Sequence, residues 1–375
     1  MPEVPPRPAA ARAFGRLPLL LPGMLALLAG VLSGLARLAW PVPDIAAAQA
    51  AMHAALMVGA FFGTVISLER AVALGRRWAY LAPAAAGLAG IGLLAGAPLA
   101  LVQAGLLLAS LLLLAASLLV LRRLRVNFTV VLALAAGCWL VGNLAWMAGA
   151  SVLPALPWWL AFLSLTIAAE RLELTRLLRT PPLAKQVFLL PVALILAAAV
   201  LSLWLPQAGW RGFALGLLLL ACWLMGFDIA RRNIRQRGLT RFIAVALLGG
   251  YVWLALAGLL GLAGGFEPGH AWRDAALHAI GLGFVFSMVF GHAPIIFPAV
   301  ARVKIPWHPV LYVPLLALHI SLLCRVAGGL WGDFTVRRAA GLLNALVLLG
   351  FILVLLARIW RGKHPRKEAG HGSSQ

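Results

Sequence analysis

The sequence predicts an all-α integral membrane protein of about twelve transmembrane helices. Hydrophobic residues make up 63% of its 375 residues, the mean hydropathy is +0.99, and only 11% of residues are charged. A soluble domain is about 45–50% apolar and about 25% charged, so an ordinary soluble protein is excluded. Apolar runs of about 20 residues, the length that crosses a bilayer, recur along the whole chain.

The predicted spans follow one another with short connections. This leaves a single polytopic bundle over residues 17–361, between a cytoplasmic N-terminal tail (1–16) and a disordered cytoplasmic tail (362–375). No small-residue cleavage site follows the proline-rich start, so we expect the first helix to be retained. The spans lie near residues 17–38, 48–74, 79–97, 99–121, 128–150, 153–178, 185–205, 211–231, 240–264, 273–298, 307–328 and 336–360.

The formal net charge of +21 is distributed as membrane topology requires. With the N-terminus inside the cell, all but six of the 31 Lys and Arg fall in cytoplasmic segments. The positive-inside rule therefore predicts an inner-membrane protein with both termini in the cytoplasm. The basic charge is explained without a nucleic-acid partner. The six exceptions are Arg37, Arg211, Arg273, Arg325, Arg337 and Arg338.

A short internal echo links three spans. Span 2 ends in Ile-Ser-Leu-Glu69-Arg70, span 6 contains Ile-Ala-Ala-Glu170-Arg171, and span 10, four further on, carries two histidines. If the chain consisted of three four-helix repeats, these spans would occupy corresponding positions in the three repeats. The alternative is that the shared Glu-Arg dipeptide arose by chance. Glu69 is either neutralised by Arg70 or takes up protons from the cytoplasm.

Four histidines inside apolar spans are the candidate cofactor-binding and metal-ligating residues: His53, His278, His292 and His319. His278 and His292 are fourteen residues apart, which on an α-helix is about 21 Å of rise and about 40° of rotation. Counting from the span ends pairs His53 with His278 near the outer leaflet. It pairs His292 with His319 in the inner half.

Neutral imidazole is a ligand for haem iron, copper and zinc, and burying it in a membrane is costly enough to suggest a function. The alternative is a histidine hydrogen-bonded within a helix interface. For His292 in particular, Pro294 and Pro298 would free backbone carbonyls that its ring could bond. The glycines near these histidines have two possible roles: they leave space for a haem macrocycle, or they allow the helices to pack closely. They are Gly59, Gly63, Gly281, Gly283 and Gly291.

At these residues the chain resembles the NnrS family of multi-span membrane proteins. The matching features are the segment from His53 to Gly63, the opening Leu277-His278-Ala-Ile-Gly281, and Gly291-His292. The resemblance implies haem, less strongly copper, and a role in the nitric oxide response. Ala293-Pro294 stands where the family reads Thr-Gly, and the family's arginine is missing. The layout also resembles catalytic subunits of haem–copper oxidases, in which spans 2 and 10 bind the low-spin haem.

The sequence thus favours a haem- or metal-binding membrane protein that transfers electrons or handles a small gas. Its partners would be the lipid bilayer and a small gas or redox partner. The alternative is a twelve-helix secondary transporter, suggested by Glu69-Arg70 followed by Gly75-Arg76-Arg77. No catalytic residue is assigned, and enzymatic activity and oligomeric state stay open.

Overall fold

The computed structural model describes residues 17–149, 151–177, 182–301 and 303–363. These residues are helical apart from short connections, and they contain no strand, which confirms the all-α class. The predicted N-terminal tail lies outside the described residues. So does the predicted C-terminal tail, except that its first two residues, Gly362 and Lys363, still belong to the last helix.

The main helices follow the predicted spans closely. They are α1 (Leu17–Ala36), α2 (Ala55–Leu74), α3 (Leu81–Leu94), α4 (Leu99–Arg123), α5 (Asn127–Ala148), α6 (Leu156–Leu174), α7 (Pro182–Val187 and Leu189–Leu201), α8 (Pro206–Phe227), α9 (Gly238–Leu262), α10 (Arg273–His278, Ala279–Phe286 and Ser287–Ala301), α11 (Tyr312–Leu330) and α12 (Phe334–Lys363).

Within the described ranges, eleven helices are long and apolar enough to cross a membrane, one fewer than the sequence predicts. The difference is α3, which has 14 residues where a span over 79–97 was expected. Its start is shortened because Arg77–Tyr80 form a 3₁₀ turn. Its end is set by Gly96, at a φ of +70°, with Pro98 following.

Helices α2, α6 and α10 form the centre of the bundle. The buried share of their apolar windows is 67%, 78% and 67%, against 56% or less for the other spans. Consecutive helices pack on one another around them, as α5 does on α6 and α8 on α9. The peripheral helices α4 and α12 expose leucines such as Leu101 and Leu353, as expected of a surface in contact with lipid.

Two eight-residue π-helical segments interrupt the central helices. Ala55–Phe62 lies in α2 just after His53, and Ala279–Phe286 lies in α10 just after His278. The segments touch through Phe61 and Phe286, whose rings are stacked with centroids 6.1 Å apart. π-Helical turns are rare and occur frequently at functional sites. The 40° expected between His278 and His292 assumed α-helical geometry, so it does not hold across this wider helix.

Candidate functional site

His53 and His278 lie side by side, as their depths in the sequence predict. Their ring centroids are 6.2 Å apart and the ring planes differ by 28°. His53 Nδ1 donates to the Gly30 carbonyl at 2.7 Å, and His278 Nδ1 donates to the Asp274 carbonyl at 2.8 Å. Because a carbonyl only accepts, both Nδ1 atoms carry the proton and both Nε2 atoms keep a lone pair. Metal-binding histidines are commonly oriented in this way.

Helix α1 supplies the surface on which His53 rests. A Cβ added at Gly34 would lie 2.9 Å from His53 Cε1, so only glycine lets the ring approach this closely. Gly30, one turn earlier, provides the carbonyl that orients the ring. Sequence reasoning missed both residues, although their spacing of four in the first span is a signature of close helix contact.

His278 is held by a polar network that joins α10, α11 and α12. The Asp274 carboxylate lies 3.3 Å from His278 Nδ1 and accepts two bonds from Arg325, at 2.9 and 2.8 Å. Arg325 also contacts Asn344, which donates to Ser321 at 2.8 Å. Sequence reasoning missed this network. Its available signals were the i, i+4 spacing of Asp274 and His278, and an arginine deep in span 11.

Two adjoining cavities share the histidine pair, and they differ in chemistry. The arginine cavity, of about 330 Å³, is lined by Arg37, Arg273, Arg325, Arg337 and Asp274 together with both histidines. The apolar cavity, of about 170 Å³, is lined by both histidines and mainly by aliphatic and aromatic side chains. These include Phe62, Leu160, Leu163, Phe286 and Leu348. The two histidines therefore lie between a positively charged cavity and an apolar one.

Of the five glycines near the histidines, four serve helix packing. A Cβ at each of these would come within 3.1 Å of a neighbouring side chain. The contacts are Gly59 with Leu106, Gly63 with Trp139, Gly283 with Trp253, and Gly291 with Ala246. Gly281 differs: it has open space where a side chain would be, and it lines the apolar cavity. Only Gly281 leaves room beside the pair.

His292 belongs to a separate buried cluster. Its Nδ1 donates to the Met288 carbonyl at 2.9 Å, and its Nε2 lies 3.1 Å from Arg171 Nη1. Arg171 in turn pairs with Asp228 at 2.9 Å, with both side chains almost fully buried. In this arrangement both ring nitrogens of His292 are engaged. The carbonyl is the ordinary i−4 one, not a carbonyl freed by Pro294, which would be that of Phe290.

His319 has a different partner again. Its Nδ1 accepts a bond from Trp253 Nε1 at 2.8 Å, which leaves the proton on Nε2, a buried atom with no partner among the described residues. No contact joins His319 to His292 in the part of the chain that the structure describes. The metal role of this second pair stays a prediction. Across the described ranges, no three His, Cys, Asp or Glu side chains gather as a metal cluster.

The fold and site define a multi-span helical bundle with a pair of adjacent histidines, each just before the start of a π-helical segment. The chain belongs to the family described as Domain of unknown function (DUF8744), whose sequence profile matches residues 16–360. No curated protein matches the chain.

Proposed function

We propose that the chain is a haem-binding integral membrane protein of NnrS-like type, in which His53 and His278 would hold the iron. The observation that carries the proposal is the pair itself: adjacent rings, each Nδ1 tied to a carbonyl and each Nε2 left as an acceptor. The ring centroids are 6.2 Å apart, which is close enough for both imidazoles to reach one metal ion.

The surroundings of the pair also suit haem. Its macrocycle is largely apolar, and the cavity beside Gly281 is lined by Leu and Phe side chains. Haem iron would supply one-electron transfer or coordination of a small gas such as nitric oxide. Because His53 and His278 would both be engaged in holding the iron, electron transfer is the favoured role. Copper, which imidazole also binds, is the less favoured occupant.

We further propose that α3 crosses the membrane, which restores twelve spans. Its 14 residues span about 21 Å, and the preceding 3₁₀ turn over Arg77–Tyr80 adds about 8 Å, close to the roughly 30 Å hydrocarbon core. It packs against α1, α2 and α4. An even number of spans puts both termini on one side, and the positive-inside rule makes that side the cytoplasm. The histidine pair would then lie near the outer face.

The equivalent central position of α2, α6 and α10 supports the three-repeat interpretation. These are the spans that the echo around Glu69-Arg70 and Glu170-Arg171 relates. A histidine stands just before the π segment that begins α2, and another just before the π segment within α10. In α6, a buried α-helix occupies that place. One unit would therefore have lost the ligand while keeping its place in the centre.

The reduced-minus-oxidised absorption spectrum of the purified full-length protein tests the haem proposal. We expect sharp bis-histidine bands that are lost in both His53→Ala and His278→Ala. The bands should persist in His308→Ala, a loop control whose ring caps a short helix. They should also persist in His292→Ala and His319→Ala, whose rings have other partners. A colourless protein without iron or copper by elemental analysis would contradict the proposal, and the transporter would become the leading hypothesis.

A further inference from the structure

Four of the six arginines that the positive-inside assignment leaves on the outer side gather in one place. Arg37 follows the end of α1, Arg273 begins α10, Arg325 lies in α11 and Arg337 in α12, and all four line the arginine cavity. The other two do not line this cavity. Arg338 lies over the Trp40 ring at 4.2 Å, and Arg211 is 3.7 Å from Glu267. The exceptions to the topology rule are thus concentrated at the histidine pair.

Four arginines and one carboxylate line the arginine cavity, so its lining carries a net positive charge. Asp274 is its one acidic lining residue, and Arg325 already holds both carboxylate oxygens. Among the described residues no carboxylate pairs with Arg37, Arg273 or Arg337. Arg273 donates to the Phe266 carbonyl, and both Arg273 and Arg337 lie over an aromatic ring. Even so, Arg273 Nη2 and Arg337 Nε have no hydrogen-bond partner in the same part of the chain. Both side chains are partly buried, and Arg37 is exposed. Guanidinium groups that line a cavity and keep N–H groups without an acceptor are expected where an anion binds.

We propose that the arginine cavity binds carboxylate groups, and that these are the propionates of a haem held by His53 and His278. Guanidinium groups bind carboxylates through paired, charge-assisted hydrogen bonds. Haem has an apolar body with two carboxylates on one edge. The two cavities that share the histidines have the same division, cationic on one side and apolar on the other. The inference rests on the proposed function for the source of the carboxylates; a small free carboxylate is the other source.

The test compares haem with its dimethyl ester, in which both propionates are neutral. Full-length protein purified from haem-deficient cells is titrated with each compound, and binding is followed by the Soret absorption. Loss of one charge-assisted bond weakens binding by about tenfold or more. We therefore expect the wild type to prefer haem by at least about that factor. Arg273→Gln and Arg337→Gln should lose the preference, while Arg211→Gln, an outer-side arginine away from the cavity, should keep it.

Two further measurements keep the proposal testable when a variant folds poorly. Arg337→Lys retains the charge and should restore part of the preference that Arg337→Gln loses. The midpoint potential of the bound haem should fall in Arg337→Gln, because removing a nearby positive charge favours the oxidised iron. A purely structural role for Arg337 would move the melting temperature without this loss of discrimination between haem and ester.

The outcomes separate this inference from the proposed function. If neither compound binds, but sodium acetate raises the melting temperature of the wild type and not of the arginine variants, the cavity binds a free carboxylate and the haem proposal fails. If haem and ester bind the wild type equally well and acetate has no effect, the haem proposal stands and the carboxylate proposal is overturned. An equal loss in Arg211→Gln would also overturn it.

Discussion

Asp274 links the histidine pair to the arginines. Its carbonyl orients His278, its carboxylate lies 3.3 Å from the same ring, and both carboxylate oxygens bind Arg325. A carboxylate behind a ligand histidine fixes the ring and raises its basicity. The same carboxylate compensates an arginine that is only 8% exposed. One side chain therefore supports a ligand and neutralises a buried charge.

We predict that Asp274→Asn weakens haem binding and destabilises the protein. The isosteric amide cannot neutralise Arg325, and an uncompensated buried charge costs on the order of 3 kcal/mol. Removing a carboxylate behind a ligand histidine typically costs about 10–100-fold in affinity. Haem titration and fluorescence-detected thermal unfolding in detergent measure the two effects. Asp44→Asn, at an exposed position, is the matched control and should change neither. Unchanged haem affinity in Asp274→Asn would contradict the assigned role.

For single residues, the sequence predicts well how deep a side chain lies in the membrane, but predicts poorly which residues it contacts. His53 and His278 were paired correctly in position because the rise per residue is nearly fixed, so distance from a span end gives depth. Which way a side chain faces depends on how each helix is rotated in the bundle. That rotation comes from packing between distant segments, such as α1 against His53. For this reason the contact of His292 with Arg171 could not be read from either segment alone.

The π-helical segments explain part of this limit at the scale of the element. Each holds an extra residue within a helical turn, so the side chains after it are rotated relative to a continuous α-helix. Ala279–Phe286 lies between His278 and His292, and the second ring points to Arg171 on α6. An apolar sequence such as Ala-Ile-Gly-Leu-Gly-Phe-Val-Phe has no local mark of a π-helix. It forms where Phe286 packs against Phe61 and Phe62 of α2.

The space beside Gly281 gives a prediction about the fit between these elements. We expect Gly281→Leu to lower haem content sharply, because the new side chain would occupy the apolar cavity that the macrocycle needs. The fold should survive, since a Cβ at this position meets no atom within 4 Å. Gly350→Leu is the matched control: Gly350 also has open space around it, but it lies on α12 away from the cavity. Haem per protein, measured after gel filtration, should fall only in Gly281→Leu.

For the whole molecule, the order of the spans and eleven of the twelve predicted ones could be read from the sequence. Each span needs about 20 apolar residues in a row, a requirement visible in any local window. The same topology rule also identified the arginines that break it. It could not show that Arg37, Arg273, Arg325 and Arg337 meet, because they come from different ends of the chain and converge only when α1, α10, α11 and α12 pack. The arginines that depart from the positive-inside rule thus indicated the arginine cavity better than any local sequence motif did.

The topology itself depends on α3, the one main helix too short to qualify as a span by length alone. If it crosses, the loop after it faces outward and the loop before it faces the cytoplasm. We predict that, with Cys138, Cys222 and Cys324 replaced by alanine, a membrane-impermeant maleimide labels Ala95→Cys in intact cells. Arg76→Cys and Ser374→Cys should react only after the cells are opened. Ala95 and Arg76 are both exposed and flank α3, so each controls for the reactivity of the other.

If α3 instead stayed on one face of the membrane, the two loops would be labelled alike. An odd number of spans would then put Ser374 on the side opposite the N-terminus, and the twelve-span topology would have to be abandoned.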